Sequence, residues 1–213
     1  NDVSYQALVA RCIFFCQYYR FLDTGVMYRA ITWAAIQRST DLDDGAALTG
    51  LAESVDIRLV PGEGGDRLIL NGQDITDHLR GPEVERGVSP VSTVSGVRSA
   101  LVAQQRAIAG EGSIVMVGRD IGTVVLPDAR VKVFLRASSA VRARRRLLEL
   151  KDRGPVPEYA QVVDDLVHRD KIDSERADSP LRPAEDAIEL DTDQMDIETV
   201  VRKIAAMVEG NRC

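Results

Sequence analysis

Two short, nearly uninterrupted apolar runs constrain this chain more than any other feature: Ser113-Ile114-Val115-Met116-Val117 and Val131-Lys132-Val133-Phe134-Leu135. A strand with one wetted face alternates apolar and polar residues, so runs this continuous fit strands of a parallel sheet covered on both faces. Parallel neighbours need a crossover, usually helical. The later sequence supplies the pieces. Arg142–Leu150 and Tyr159–Asp170 read as charged helices joined through Asp152-Arg153-Gly154-Pro155. Ala187–Asp191 reads as a late strand, and Ile197–Val208 as an amphipathic helix. Strand and helix alternate, which predicts an α/β fold with a parallel sheet flanked by helices.

The first half carries a different signal. Val26–Arg38 has apolar residues at helical spacing. Asp56–Val60 and Arg67–Leu70 alternate like short strands around the Gly-rich turn Pro61–Gly65, and Asn71-Gly72 is a tight-turn pair leading into Gln73-Asp74-Ile75-Thr76. These predict a small antiparallel β subdomain, over about residues 40–95, inserted into a single domain spanning 1–213. Val97–Ala109 reads as a helix ended by Gly110 and Gly112.

Charge narrows the function. The net charge of -6 argues against a general nucleic-acid binder. No apolar run approaches the roughly 18 residues that cross a bilayer, and Cys12–Cys16 lacks the cleavage pattern of a secretory signal. Cys12, Cys16 and Cys213 form no disulfide framework, and without further ligands nearby no metal site is expected. The expectation is a cytoplasmic monomer with no nucleic-acid or membrane partner.

Against that acidic background, four clusters pair arginine with acid or hydroxyl residues, in what read as loops beside strands. They are Leu22-Asp23-Thr24-Gly25-Val26-Met27-Tyr28-Arg29; Val88-Ser89 with Val97-Arg98; Gly118-Arg119-Asp120-Ile121-Gly122-Thr123; and Arg169-Asp170-Lys171-Ile172-Asp173-Ser174-Glu175-Arg176. A guanidinium offers five donors in a planar fork that suits a phosphate or a nucleobase edge. The bland reading of each cluster is a surface ion pair, which contributes little. The third is harder to dismiss, because it directly follows a buried strand, where α/β proteins place ligand-binding residues.

Leu-Asp-Thr-Gly-x-Met-Tyr-Arg, Gly-Arg-Asp-Ile-Gly-Thr-Val-Val-Leu-Pro-Asp-Ala and Arg-Asp-x-x-Asp-Ser-x-Arg resemble, in order and spacing, the signature blocks of bacterial cytidylate kinases. Asn71–Thr76 is similar to that family's inserted acceptor-binding subdomain. The resemblance runs from about Tyr19 to the C-terminus. Val117 departs from it slightly, since many relatives carry an acid there. It implies a P-loop nucleoside monophosphate kinase fold that moves the γ-phosphoryl group of ATP, with Mg2+, to CMP or dCMP. By the same resemblance, Ser89, Arg98 and Asp120 read the cytosine edge. Arg29, Arg119 and Arg176 hold the acceptor phosphate, and Asp173 with Arg169 meets the sugar hydroxyls. Thr24 opens the acceptor region. Arg142, Arg144, Arg145 and Arg146 fall in a lid, over about 142–170, although a basic run taken alone is more often a solvated helix face. A UMP or AMP kinase is the weaker reading, because Asp120 beside Arg119 speaks against it.

The pattern breaks at the start. The family carries a strand, then Gly-x-x-x-x-Gly-Lys-Ser/Thr, ahead of Leu-Asp-Thr-Gly. That loop wraps donor phosphates with backbone N–H groups and a lysine. Counted back from Asp23 the lysine falls near Gln6, with the first strand before Asn1, yet residues 1–18 contain neither glycine nor lysine. The segment reads as foreign sequence from a frame shift or an assembly join, with genuine divergence as the alternative. Two expectations follow: the missing strand leaves a central gap in the sheet, and the chain is either an inactive kinase or a non-catalytic CMP-binding remnant.

Overall fold

The computed structural model describes Val9 and residues 19–60, 67–151, 156–176 and 178–210. The expectations for residues 1–18, for the Pro61–Gly65 turn, for Asp152–Pro155 and for Cys213 lie outside this set, Val9 excepted. The chain forms two compact units, residues 1–22 with 112–213, and residues 23–111.

In the second unit, α1 (Thr24–Gln37) begins where Asp23 caps it, its Oδ1 accepting from the Gly25 N–H at 2.9 Å. α2 (Gly45–Ser54) is capped likewise by Asp44, which accepts from the Ala46 and Ala47 N–H groups. Helices α3 (Pro82–Thr93) and α4 (Ser95–Gly110) follow a three-stranded antiparallel sheet of β2 (Ile57–Val60), β3 (Arg67–Leu70) and β4 (Gln73–Asp74). The register pairs Ile57 with Leu70 and Leu70 with Gln73. Asn71 and Gly72, at φ 49° and 83°, make the two-residue hairpin turn that the sequence predicts. Thr76 fastens the hairpin. Its hydroxyl accepts from the Leu68 N–H and donates to Asp74 Oδ1, and the Thr76 N–H donates to the same oxygen. These bonds hold the Asp74 carboxyl below its ordinary range.

Helix α1 packs on α3, and α2 packs on α4. Leu48 and Leu51 of α2, with Val97 and Leu101 of α4, are buried. Gly96 lets these two helices approach. A Cβ there would stand 2.8 Å from Thr49 Cβ and closer still to the Thr49 hydroxyl, which donates to Gly45 O at 2.7 Å. Gly96→Ala is therefore expected to cost about 1–3 kcal/mol by overpacking, read as a lowered midpoint in thermal denaturation.

The first unit holds the parallel strands. β6 (Val133–Arg136) and β7 (Ile188–Asp191) pair in parallel, Val133 opposite Ile188 and Arg136 opposite Asp191. β1 (Arg20–Asp23) lies beside β5 (Ile114–Val117), and the Arg20 N–H donates to Ser113 O at their edge. Among the described residues these four strands stand as two separate pairs. Val115 of β5 and Val133 and Leu135 of β6 nevertheless pack against one cluster of Val9, Leu190, Val200 and Ile204. The last two belong to the amphipathic α7 (Ile197–Gly210). Helices α5 (Ser139–Leu150) and α6 (Tyr159–Glu175) pack on each other. No described helix is long and apolar enough to cross a membrane.

Two parts of the sequence reading need correction. Ser89 and Arg98 sit on helices α3 and α4, and Arg169–Glu175 lies within α6, so only the first and third clusters border strands. Pro90 and Gly87 disguise α3, in which Gly87 gives close packing against Thr32 and Leu42. Polar α6 shows little apolar periodicity of its own: Val162 and Asp173 are its buried residues, and its Asp170 pairs with Arg142 of α5.

Candidate functional site

The residues singled out in the sequence fall into one set in each unit. In the second unit, Thr24 is the buried first residue of α1, which also carries Arg29. Arg29 donates from Nε to Glu85 Oε1 at 3.2 Å, joining α1 to α3. Ser89 is half-buried on α3, and its carbonyl accepts from the Ser92 hydroxyl. Arg98 is buried on α4, a costly place for a charge unless it is paired. It donates from Nη1 to Ser92 O at 3.2 Å and lies over the Tyr28 ring, 5.6 Å from its centroid. Tyr28 thus supports Arg98 by cation–π attraction. Tyr28 and Glu85 are the partners that sequence reasoning passed over.

In the first unit, Gly118, Arg119 and Asp120 leave the end of β5. The chain then makes a π-turn over Ile121–Val125, in which the Val125 N–H donates to Asp120 O and the Leu126 N–H to Ile121 O. Single π-turns cluster at functional sites because they turn one residue's side chain out of the regular frame. Asp120 is buried at its start.

Arg119 reaches α6 and pairs with Asp173, whose other oxygen accepts from Arg176 Nη1 at 3.1 Å. Arg176 Nε also donates to Ser179 O at 2.7 Å. Arg142, only 4% exposed, sends both terminal nitrogens from α5 to the Asp170 carboxylate, Nη2 to Oδ1 at 3.0 Å. Arg169, Asp170, Asp173 and Arg176 recur at helical spacing along α6 and so share a face. That spacing was the available signal for Asp170, which the sequence reading left without a role.

Arginines crowd this cluster. Burial pushes the Arg119 guanidinium well below its ordinary pKa, and the charges of Arg169, Arg176 and Arg142 add to the push, while Asp170 opposes it. Asp170 shows the converse. Burial works to raise its carboxyl, but the Arg142 hydrogen bond and charge, with Arg119, hold it below the ordinary range. Among the described residues Arg119, Arg142, Arg169 and Arg176 gather around Asp170 and Asp173, a set of donors that suits a phosphate dianion.

The four arginines of α5 part company. Arg142 is locked on Asp170. Arg145 donates to the Thr192 hydroxyl at 3.1 Å and to Thr192 O at 2.7 Å, and the Thr192 hydroxyl itself donates to Arg136 O. Arg146 donates to Glu149, and Arg144 is exposed. Arg142 is the one that reaches Asp170 beside Arg119.

Comparison with known proteins follows these residues. The family model for cytidylate kinase matches residues 6–210. A cytidylate kinase of Exiguobacterium sibiricum is 49% identical over 192 residues, 90% of this chain and 86% of that protein. A cytidylate kinase of Bacillus velezensis is 45% identical over 204 residues, 96% of this chain and 91% of that protein. A bifunctional pantoate ligase/cytidylate kinase of a Synechococcus strain is 47% identical over 184 residues, 85% of this chain but 38% of that longer protein. The family match starts upstream of Tyr19, within the segment that holds neither glycine nor lysine.

Proposed function

This chain belongs to the cytidylate kinase family, and from that premise we propose that it takes CMP or dCMP as the acceptor of the γ-phosphoryl group of ATP. The observation that carries the acceptor half is the Arg119–Asp173–Arg176 set, in which buried Asp173 holds two largely covered arginines beside Asp170 and Arg142. Arg119 and Arg176 grip the acceptor phosphate. Asp173 aligns both and keeps lone pairs for a sugar hydroxyl, since a carboxylate has about four acceptor sites. Arg169 is its partner in that role.

The resemblance assigns cytosine recognition to Ser89, Arg98 and Asp120, and Asp120 carries the discriminating chemistry. Cytosine offers a 4-amino donor beside two acceptors, and a buried carboxylate that accepts from that amino group rejects uracil, whose carbonyl would leave it unpaired. Calorimetry with CMP, UMP and AMP tests the set. CMP is expected to bind tightest, and Asp120→Ala to lose about 1–3 kcal/mol of CMP binding with little change for UMP. Equal affinity for all three nucleotides would overturn the cytosine reading.

The donor side lacks such support. Asp170 and Asp173 are both engaged by arginines, and four guanidiniums repel a cation, so this cluster does not fit Mg2+. Among the described residues no three His, Cys, Asp or Glu side chains gather as a metal site. Residues 1–18 supply no glycine or lysine for the phosphates of ATP. That composition favours a second reading for the chain as it stands: it holds CMP without phosphorylating it. Binding and turnover measured separately distinguish the two.

A further inference from the structure

We propose that Asp170 is a positioning residue for the phosphate-gripping arginines, an inference that rests on the phosphate reading of the Arg119 cluster. Three elements deliver the cluster: the turn after β5 brings Arg119, α5 brings Arg142, and α6 brings Arg169, Asp170 and Asp173, with Arg176 as its C-cap. Guanidiniums gathered this way repel one another, and most of them are shielded from the water that would screen them. Asp173 answers two of them, Arg119 and Arg176. Among the described residues, Asp170 alone answers Arg142.

Arg142 shows how much rests on that one carboxylate. Its side chain is 4% exposed, and both terminal nitrogens go to Asp170. Its Nε is buried with no partner among the described residues. Without Asp170, Arg142 would be a buried charge with nothing opposite it, and such a charge must swing to solvent or drag its helix away. Asp170 also draws on Arg119 while Arg142, Arg169 and Arg176 repel it. Losing its charge therefore loosens Arg119 and Arg142 together, on two elements of the cluster. Asp170 touches no substrate atom in this scheme; it acts by fixing where the phosphate finds its donors.

The competing account is that Asp170 only staples α5 to α6. Asp170→Asn tells them apart, because the amide keeps the shape and one acceptor but removes the charge. CMP and cytidine, which differ only in the phosphate, are titrated calorimetrically into the wild-type and variant chains, with a thermal melt of each. The expected result is an affinity for CMP lower by about tenfold or more, as for breaking a buried charge pair, with cytidine affinity unchanged within about twofold. Equal weakening of both ligands, or an unchanged ratio between them, overturns the proposal. Should Asp170→Asn fail to fold, Arg142→Lys decides: it keeps the charge but loses the fork, and is expected to show the same selective loss of CMP. A wild-type chain that binds CMP and cytidine equally would overturn the phosphate reading itself, whereas a phosphate preference that survives in both variants overturns the role of Asp170 alone.

Discussion

Mixed with ATP, Mg2+ and CMP, the 213-residue chain is expected to release no CMP-dependent ADP above background. The reason lies in what residues 1–18 contain. A loop that wraps donor phosphates needs glycines, so that successive N–H groups can close on them, and a lysine to reach the β- and γ-phosphates; the segment has neither. Fixed donors aimed at the developing charge are usually the largest catalytic contribution, and removing just one costs about a hundredfold or more. Here the whole cradle is at stake, so a loss of many orders of magnitude is expected even if Arg119 and Arg176 grip the acceptor fully. Replacing residues 1–18 with a strand followed by Gly-x-x-x-x-Gly-Lys-Ser should bring turnover back. Robust CMP-dependent ADP release by the unaltered chain in a coupled assay would show that donor phosphates can be held by other residues.

Arg119→Ala is expected to be the most damaging single substitution in the cluster, and Arg119→Lys nearly as damaging to CMP binding. Arg119 pairs with Asp173, whose side chain is 4% exposed. Truncating one partner of a buried pair leaves the other charge uncompensated, which costs about 3–5 kcal/mol and lowers the melting temperature by roughly 10 °C in a chain of this size. Arg176 softens the loss without cancelling it. Lysine keeps the charge, so the melt should partly recover. It cannot reproduce a planar fork shared between a carboxylate and a phosphate, so CMP affinity should stay within about threefold of the alanine variant. An Arg119→Lys chain that binds CMP like the wild type would make Arg119 a point charge.

What the sequence made legible follows the strength of local signals. The apolar runs at 113–117 and 131–135 announced β5 and β6, and Asn71-Gly72 announced its turn, because burial on two faces and a positive φ each restrict residue choice. Helix α3 was not legible, since a proline and a glycine sit inside it and its burial against α1 overrides propensity. The strand order was also out of reach. No residue pattern says that, among the described residues, β1 pairs with β5 and β6 with β7, because pairing is settled by contacts distant in sequence. At the candidate site, motif residues such as Arg119 and Asp173 stood out by their chemical type. Their partners Asp170, Glu85 and Tyr28 did not, because a supporting residue is defined by what it touches.

The grip of Arg145 on Thr192 bears on how the basic helix can move. A rod held near its middle is a lever with a fulcrum there. Arg145 fastens α5 to the residue just past β7, and Arg142 fastens it again one turn earlier on Asp170. Beyond Arg145 only about 8 Å of helix remains, at 1.5 Å per residue. A tilt of about twenty degrees about that pivot would carry the far tip by roughly 3 Å. An α5 held this way is a poor flap. Any large sweep over a bound nucleotide would need both clasps to let go together, or would have to be made by the reach of single side chains such as exposed Arg144.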